Sequence, residues 1–170
     1  MKKTEDQRDV FIRVAIDSDF DAIWPIFHDI VKRGETYAFD PDLTKEQAFV
    51  LWMRQPEVCC VAEYNDRIVG TYYLKPNMAG PGSHVCNCGY MVAAAARGKG
   101  VAALMCQHSQ QLAVQRGYKA MQFNSVVSSN EQAVRLWQRL GFDIVGRLPK
   151  AFSHPQLGLV DSYVMYRWLL

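Results

Sequence analysis

The stretch that most limits how this chain can fold is Cys86 to Leu112. Cys86-Asn87-Cys88-Gly89-Tyr90-Met91-Val92 reads as a strand, Arg97-Gly98-Lys99-Gly100 as a turn, and Val101, Leu104, Met105, His108 and Leu112 recur at helical spacing. A strand that turns through glycines into a helix gathers several main-chain N–H groups at one concave point. The positive end of the helix dipole stands behind them. Such a point binds anions. Gly98 and Gly100 let a ligand come close to the backbone, and Arg97 and Lys99 add positive charge. Two common phosphate loops do not fit. No Ser or Thr follows Lys99 in the register of a nucleoside-triphosphate loop, and the third glycine of a dinucleotide turn is replaced by Ala103.

A second motif lies downstream, Asn130-Glu131-Gln132-Ala133-Val134-Arg135-Leu136-Trp137 followed by Gly141-Phe142. Arg97-x-x-Gly100-x-Ala102 with Asn130-x-x-Ala133-x-x-Leu136-aromatic, in this order and spacing, resembles the GNAT superfamily of acyl-CoA-dependent N-acetyltransferases. The resemblance runs from about residue 10 to 170 and is densest from Cys86 to Phe142.

The rest of the chain suits that fold. Strands are expected over 11–16, 58–64, 68–74, 85–92, 119–125, 142–145 and 159–168. Helices are expected from a cap at Asp17 or Ser18 to Lys32, from the Thr44/Gln47 capping box through Trp52, over 99–115 and over 130–140. Asn65-Asp66 reads as a hairpin turn. This β-α-α-β-β-β-α-β-α-β-β order is α/β. The resemblance implies a GNAT fold over residues 1–170 as one domain, with a central mixed, mostly antiparallel sheet flanked by helices and splayed between its fourth and fifth strands.

A net charge of +2 gives no field that would recruit nucleic acid, and no apolar run reaches the length of a membrane span. The charged Met1-Lys2-Lys3-Thr4-Glu5-Asp6 has no apolar segment behind it, so no secretory signal is expected and the compartment is read as cytoplasm. Five cysteines are an odd number without zinc spacing. They are expected to be buried and reduced, with no metal. The rival reading of Cys86 or Cys88 as a nucleophile needs a base such as His84 on their face.

The resemblance implies acetyl-CoA as cofactor, with its diphosphate on Arg97, Gly98, Lys99, Gly100, Val101 and Ala102. It further implies main-chain N–H groups near Met91 and Val92 at the thioester carbonyl, and Asn130 beside the pantetheine arm. Asn130 also reads as a plain helix cap. The residues set further terms. The strand 85–92 has no Asp or Glu to take the amine's proton. That points away from a lysine amine, with its pKa of about 10.4, where a peptide α-amine is near 8; a proton path through water stays open. Asn87 and Asn124 stand in apolar strand patterns. They either bond across strands or face the acceptor as catalytic orienting groups. Where the family has a tyrosine acid stands Trp137, which packs or lines the thiol pocket. Ser128, Ser129 or water is left to protonate the sulfur.

Gly34 to Pro41 resembles the loop of phosphinothricin-type acetyltransferases. The 87–92 strand, Phe123-Asn124 and the 148–161 tail resemble azetidine-2-carboxylate N-acetyltransferases. These likenesses imply a small amino-acid-like amine as substrate, attacked directly in a ternary complex, with Thr36, Tyr37, Asn87, Asn124 and His154 as candidate acceptor contacts. Acetylation of protein N-termini or lysines, and a non-catalytic acyl-CoA sensor, remain as alternatives. A homodimer is left open.

Overall fold

The computed structural model describes residues 9–170; the charged stretch Met1–Asp6 lies outside them. Strands β1 (Phe11–Val14), β2 (Val58–Tyr64), β3 (Arg67–Pro76), β4 (Val85–Val92), β5 (Ala120–Val127), β6 (Asp143–His154) and β7 (Gly158–Trp168) form one sheet in the order β1-β2-β3-β4-β5-β7-β6. Every pairing is antiparallel except β4 with β5. That parallel ladder holds only Val85↔Ala120 and Cys86↔Met121, after which the strands part. Helices α1 (Phe20–Arg33), α2 (Lys45–Phe49), α3 (Val101–Gln115) and α4 (Glu131–Arg139) complete the expected order.

Each helix is placed by its apolar face. Phe20, Ile23, Phe27, Ile30 and Val31 of α1 are buried against Trp52, Val61 and Met91 on one side of the sheet. Met105, Cys106 and Ala113 of α3 are buried with Tyr72, Leu74 and Cys86 on the other. Trp137 of α4 closes on Phe123, with ring centroids 5.2 Å apart. Local signals account for the joints. Asn65 and Asp66 both take positive φ, as a two-residue hairpin turn requires. Thr44 accepts from the Gln47 N–H while the Gln47 side chain accepts from the Thr44 N–H, which closes the capping box. The helix then runs on as a π-helical turn, Val50–Arg54.

Several expected boundaries shift. β1 stops at Val14, and the Asp19 carboxylate, rather than Asp17 or Ser18, caps the following turn by accepting from the Ile16 N–H at 2.7 Å. β5 runs to Val127. The strand expected over 142–145 extends to His154. Leu148-Pro149-Lys150 breaks the period-two pattern because the register shifts there, with Lys150 at φ 52°.

All five cysteines are free and buried. Burial pushes the Cys59 thiol up to about 12 and Cys106 up to about 11, and it raises Cys88 as well. His84 is exposed on its loop, with Nδ1 against the Pro81 carbonyl. Cys59, Cys88 and Cys106 therefore stay protonated, Cys88 lacks the thiolate character a nucleophile needs, and Cys86 is packed in the core.

Candidate active site

The parting of β4 from β5 leaves main-chain groups facing a wedge. The β3–β4 ladder shows which groups these are. Asn77 N–H donates to the Val85 carbonyl and Ala93 N–H to the Val69 carbonyl, both at 2.8 Å. In an antiparallel ladder the directly bonded pairs alternate with unbonded ones. Gly89 opposite Tyr73 and Met91 opposite Thr71 are thus committed to β3, while Cys88, Tyr90 and Val92 turn their N–H and C=O groups toward the wedge. Of the two residues expected to offer a donor, Val92 has the right parity. Met91 does not: its N–H belongs to β3, and its side chain is 1% exposed in the core under α1. Tyr90 has the outward parity that Met91 lacks.

Asn87 closes the narrow end of the wedge. Its Nδ2 donates to the Gln122 carbonyl of β5 at 2.9 Å, and its Oδ1 accepts from the Tyr73 hydroxyl at 3.0 Å. At 5% exposure it carries the strand-to-strand connection on from the last ladder pair. Asn124, expected to be buried, is exposed. Its Nδ2 donates to Asn77 Oδ1 at 2.7 Å, and its Oδ1 accepts from Gln122 Nε2 at 2.9 Å. The β5–β7 bulge after Phe123 lies beside it. Asn87, Gln122 and Asn124 share one face by strand parity, that of α1.

At the wide end, Gly98 and Gly100 take φ 77° and 80°. A Cβ at Gly98 would meet nothing within 4 Å, so the space above the turn is open. Gly100 is the N-cap of α3, and among the described residues no side-chain cap hydrogen bond forms there. Arg97 and Lys99 are exposed, with the Arg97 Nη2 4.0 Å from an Asp29 carboxylate oxygen. Uncapped donors, a helix N-terminus and two cations suit a diphosphate. Asn130 caps α4 by accepting from the Ala133 N–H at 3.4 Å.

These features, a sheet split after two parallel pairs and a glycine turn opening the helix that follows the split strand, find their match among known proteins. The model of the Acetyltransferase (GNAT) family matches residues 20–142. This chain belongs to the GNAT acetyltransferase family. The enzyme is 28% identical over 151 residues to the N-acetyltransferase aca1 of Schizosaccharomyces pombe, which covers 79% of this chain and 72% of that one. Its fold matches a GCN5-related N-acetyltransferase from Kribbella flavida with a TM-score of 0.91 at 47% identity, covering 95% and 98% of the two chains. A phosphinothricin acetyltransferase from Sinorhizobium meliloti, solved with acetyl-CoA, shares the fold with a TM-score of 0.82 at 17% identity over 94% and 88%.

The remaining candidates in this GNAT acetyltransferase fall in three places. Tyr37 comes to the wedge from the α1–α2 loop, and its hydroxyl donates to the Tyr90 carbonyl at 2.8 Å. Its ring stacks on Phe39 with centroids 5.5 Å apart. Burial raises its pKa, so it remains a neutral donor. Thr36 is half-buried beside it in sequence. Trp137 is 9% exposed, with its ring 5.1 Å from that of Tyr90. His154 ends β6, where its Nδ1 accepts from the Gln156 and Leu157 N–H groups at 3.2 Å and so fixes the β6–β7 turn. Sequence reasoning missed Tyr73, which packs edge-on to Trp52 and orients Asn87. A Cβ on Gly89 would stand 2.6 Å from its ring and 3.1 Å from the Tyr37 hydroxyl. A glycine in the middle of a strand is the signal that marks this close approach. Among the described residues no group of three or more His, Cys, Asp or Glu side chains stands together as a metal site. No helix among them is long and apolar enough to cross a membrane.

Proposed function

We propose that this GNAT acetyltransferase moves the acetyl group of acetyl-CoA to the amine of a small amino-acid-like molecule, by direct attack with both molecules bound at once. The observation that carries this reading is electrostatic. β3, β4 and β5, the strands around the wedge, bear no Asp or Glu at all. An α-amine, whose pKa lies below that of a lysine side chain, gives up its proton more readily and so needs less from the protein.

When bound, acetyl-CoA supplies an acyl carbon made electrophilic by its thioester. The residues do the rest. Gly98 to Ala102 at the α3 N-terminus hold the diphosphate, helped by Arg97 and Lys99. The outward N–H groups of Tyr90 and Val92 bond the carbonyl oxygen as it gains charge, and one such donor is typically worth roughly 3–4 kcal/mol. Asn130 bonds the pantetheine arm and Trp137 walls the thiol end. Asn87 and Asn124 orient the acceptor, with Thr36, Tyr37 and His154 around it. Ser128, Ser129 or a water returns a proton to sulfur. The five buried free thiols support a reducing compartment, the cytoplasm. The exposed apolar residues Val145, Leu148, Leu157 and Leu159 of the outer β6–β7 hairpin support a homodimer, which sedimentation would detect.

Free-thiol release tests the reading. The protein is incubated with acetyl-CoA and, in turn, amino acids, proline analogues, polyamines and peptides. Thiol release with amino acids or proline analogues is the expected result. Release with peptides or lysine alone would make it a protein acetyltransferase. Binding of acetyl-CoA with no release in any arm would make it a sensor.

A further inference from the structure

Lys75 lies on the last turn-ward stretch of β3, directly opposite Asn87 in the register. By strand parity it faces the α1 side with Tyr73 and Asn87. Its Nζ stands 5.2 Å from the centroid of the Tyr73 ring, and Tyr73 is the register partner of Gly89. The ammonium therefore stands beside the Tyr73 ring on the α1 face, near the closed end of the wedge. It is half-buried and forms no ion pair among the described residues. Not one acidic residue lies on β3, β4 or β5 to neutralise it. The ring beneath it belongs to the tyrosine that holds Asn87, so the ammonium and the amide are positioned by one side chain. Asn87 and Val92 are five positions apart, roughly 16 Å of strand, which keeps this cation well away from the diphosphate turn.

We propose that Lys75 binds the carboxylate of the acceptor, with the Asn87 and Asn124 amides beside it, and so selects amines that carry an α-carboxylate. The inference rests on the small-molecule reading above and deepens it. An ammonium held over an aromatic face still has N–H donors free on the side away from the ring, and a carboxylate there forms charge-assisted hydrogen bonds. The same charge repels polyamines and lysine side chains, which approach as cations. Selectivity arises from one residue that attracts the zwitterion and disfavours the bare ammonium.

The test compares L-methionine and azetidine-2-carboxylate, each beside its own carboxamide, in wild type, Lys75→Met and Lys75→Arg. Lys75→Met is expected to lower kcat/KM for the acids at least about tenfold, mostly through KM, as loss of a charged hydrogen bond does. Its kcat/KM for the carboxamides stays within about twofold, and its affinity for acetyl-CoA is unchanged. Lys75→Arg restores most of the loss. Equal losses for acid and carboxamide, or no loss for either, overturn the role of Lys75 and leave the small-amine reading standing. Wild-type turnover of the carboxamides without the acids likewise overturns the role alone. Wild-type turnover of none of the four compounds overturns both.

Discussion

The two sides of β4 differ sharply. Toward β3 the strand pairs along its whole length, seven residue pairs from Gly70↔Val92 to Pro76↔Cys86. Toward β5 it pairs at two positions and then stops. One strand, with one sequence, is a completed ladder on its left and an open one on its right. The closed side makes the protein stable. The open side supplies the outward groups of Cys88, Tyr90 and Val92, donors and acceptors that a native sheet would ordinarily consume. Binding capacity here is a ladder left unfinished, and Asn87 marks where it ends.

The comparison can be broken most forcefully at Asn87. Asn87→Leu leaves the Gln122 carbonyl and the Tyr73 hydroxyl without their buried partner, and should cost about 1–3 kcal/mol in denaturant unfolding together with most of the turnover. Unchanged stability would show that the crossing amide does not join the halves. Next comes Gly98→Val at the wide end. Its left-handed φ of 77° should cost about 1–2 kcal/mol, and calorimetry should show acetyl-CoA binding weakened well beyond what that loss of stability implies. Full affinity in this variant would remove the turn from the cofactor site.

On the closed side the expected effect is smaller and depends on pH. Arg13 donates to both Asp19 oxygens and holds that carboxyl below its usual range. A depressed folded pKa gives stability that is present above the unfolded value near about 3.9 and is lost as pH falls through the folded one. Asp19→Asn should therefore lower stability by about 1 kcal/mol at neutral pH and flatten the acid limb below about pH 4, with turnover at pH 7 intact. Asn124→Ala sharpens the contrast from the other direction. The residue is exposed, so stability should move by less than about 0.5 kcal/mol while turnover of small amines falls. Intact turnover would take Asn124 out of the acceptor site.

Much of this was legible in the sequence where a local rule decides. The positive φ values of Asn65, Asp66, Gly98 and Gly100 follow from residue type, and the Thr44/Gln47 box announces its helix. The second half of β6 was not legible, because Pro149 and the Lys150 bulge interrupt the alternation that a strand shows. The choice between Met91 and its neighbours as wedge donors was out of reach too. It depends on ladder parity, which the length and shape of the loop from Asn77 to His84 set. The Tyr37–Tyr90 hydrogen bond joins residues 53 apart and had no local trace. Lys75 stood in plain view, two residues from Tyr73, yet a single lysine becomes informative only once the three acid-free strands are assembled side by side.

The bond from Tyr37 to the Tyr90 carbonyl has a consequence for solubility. A frayed strand border is normally a template on which other chains can polymerise. Here the two raw borders belong to neighbouring strands inside one sheet, and the phenol of Tyr37 occupies an acceptor of one of them, which withdraws that border from pairing with a second chain.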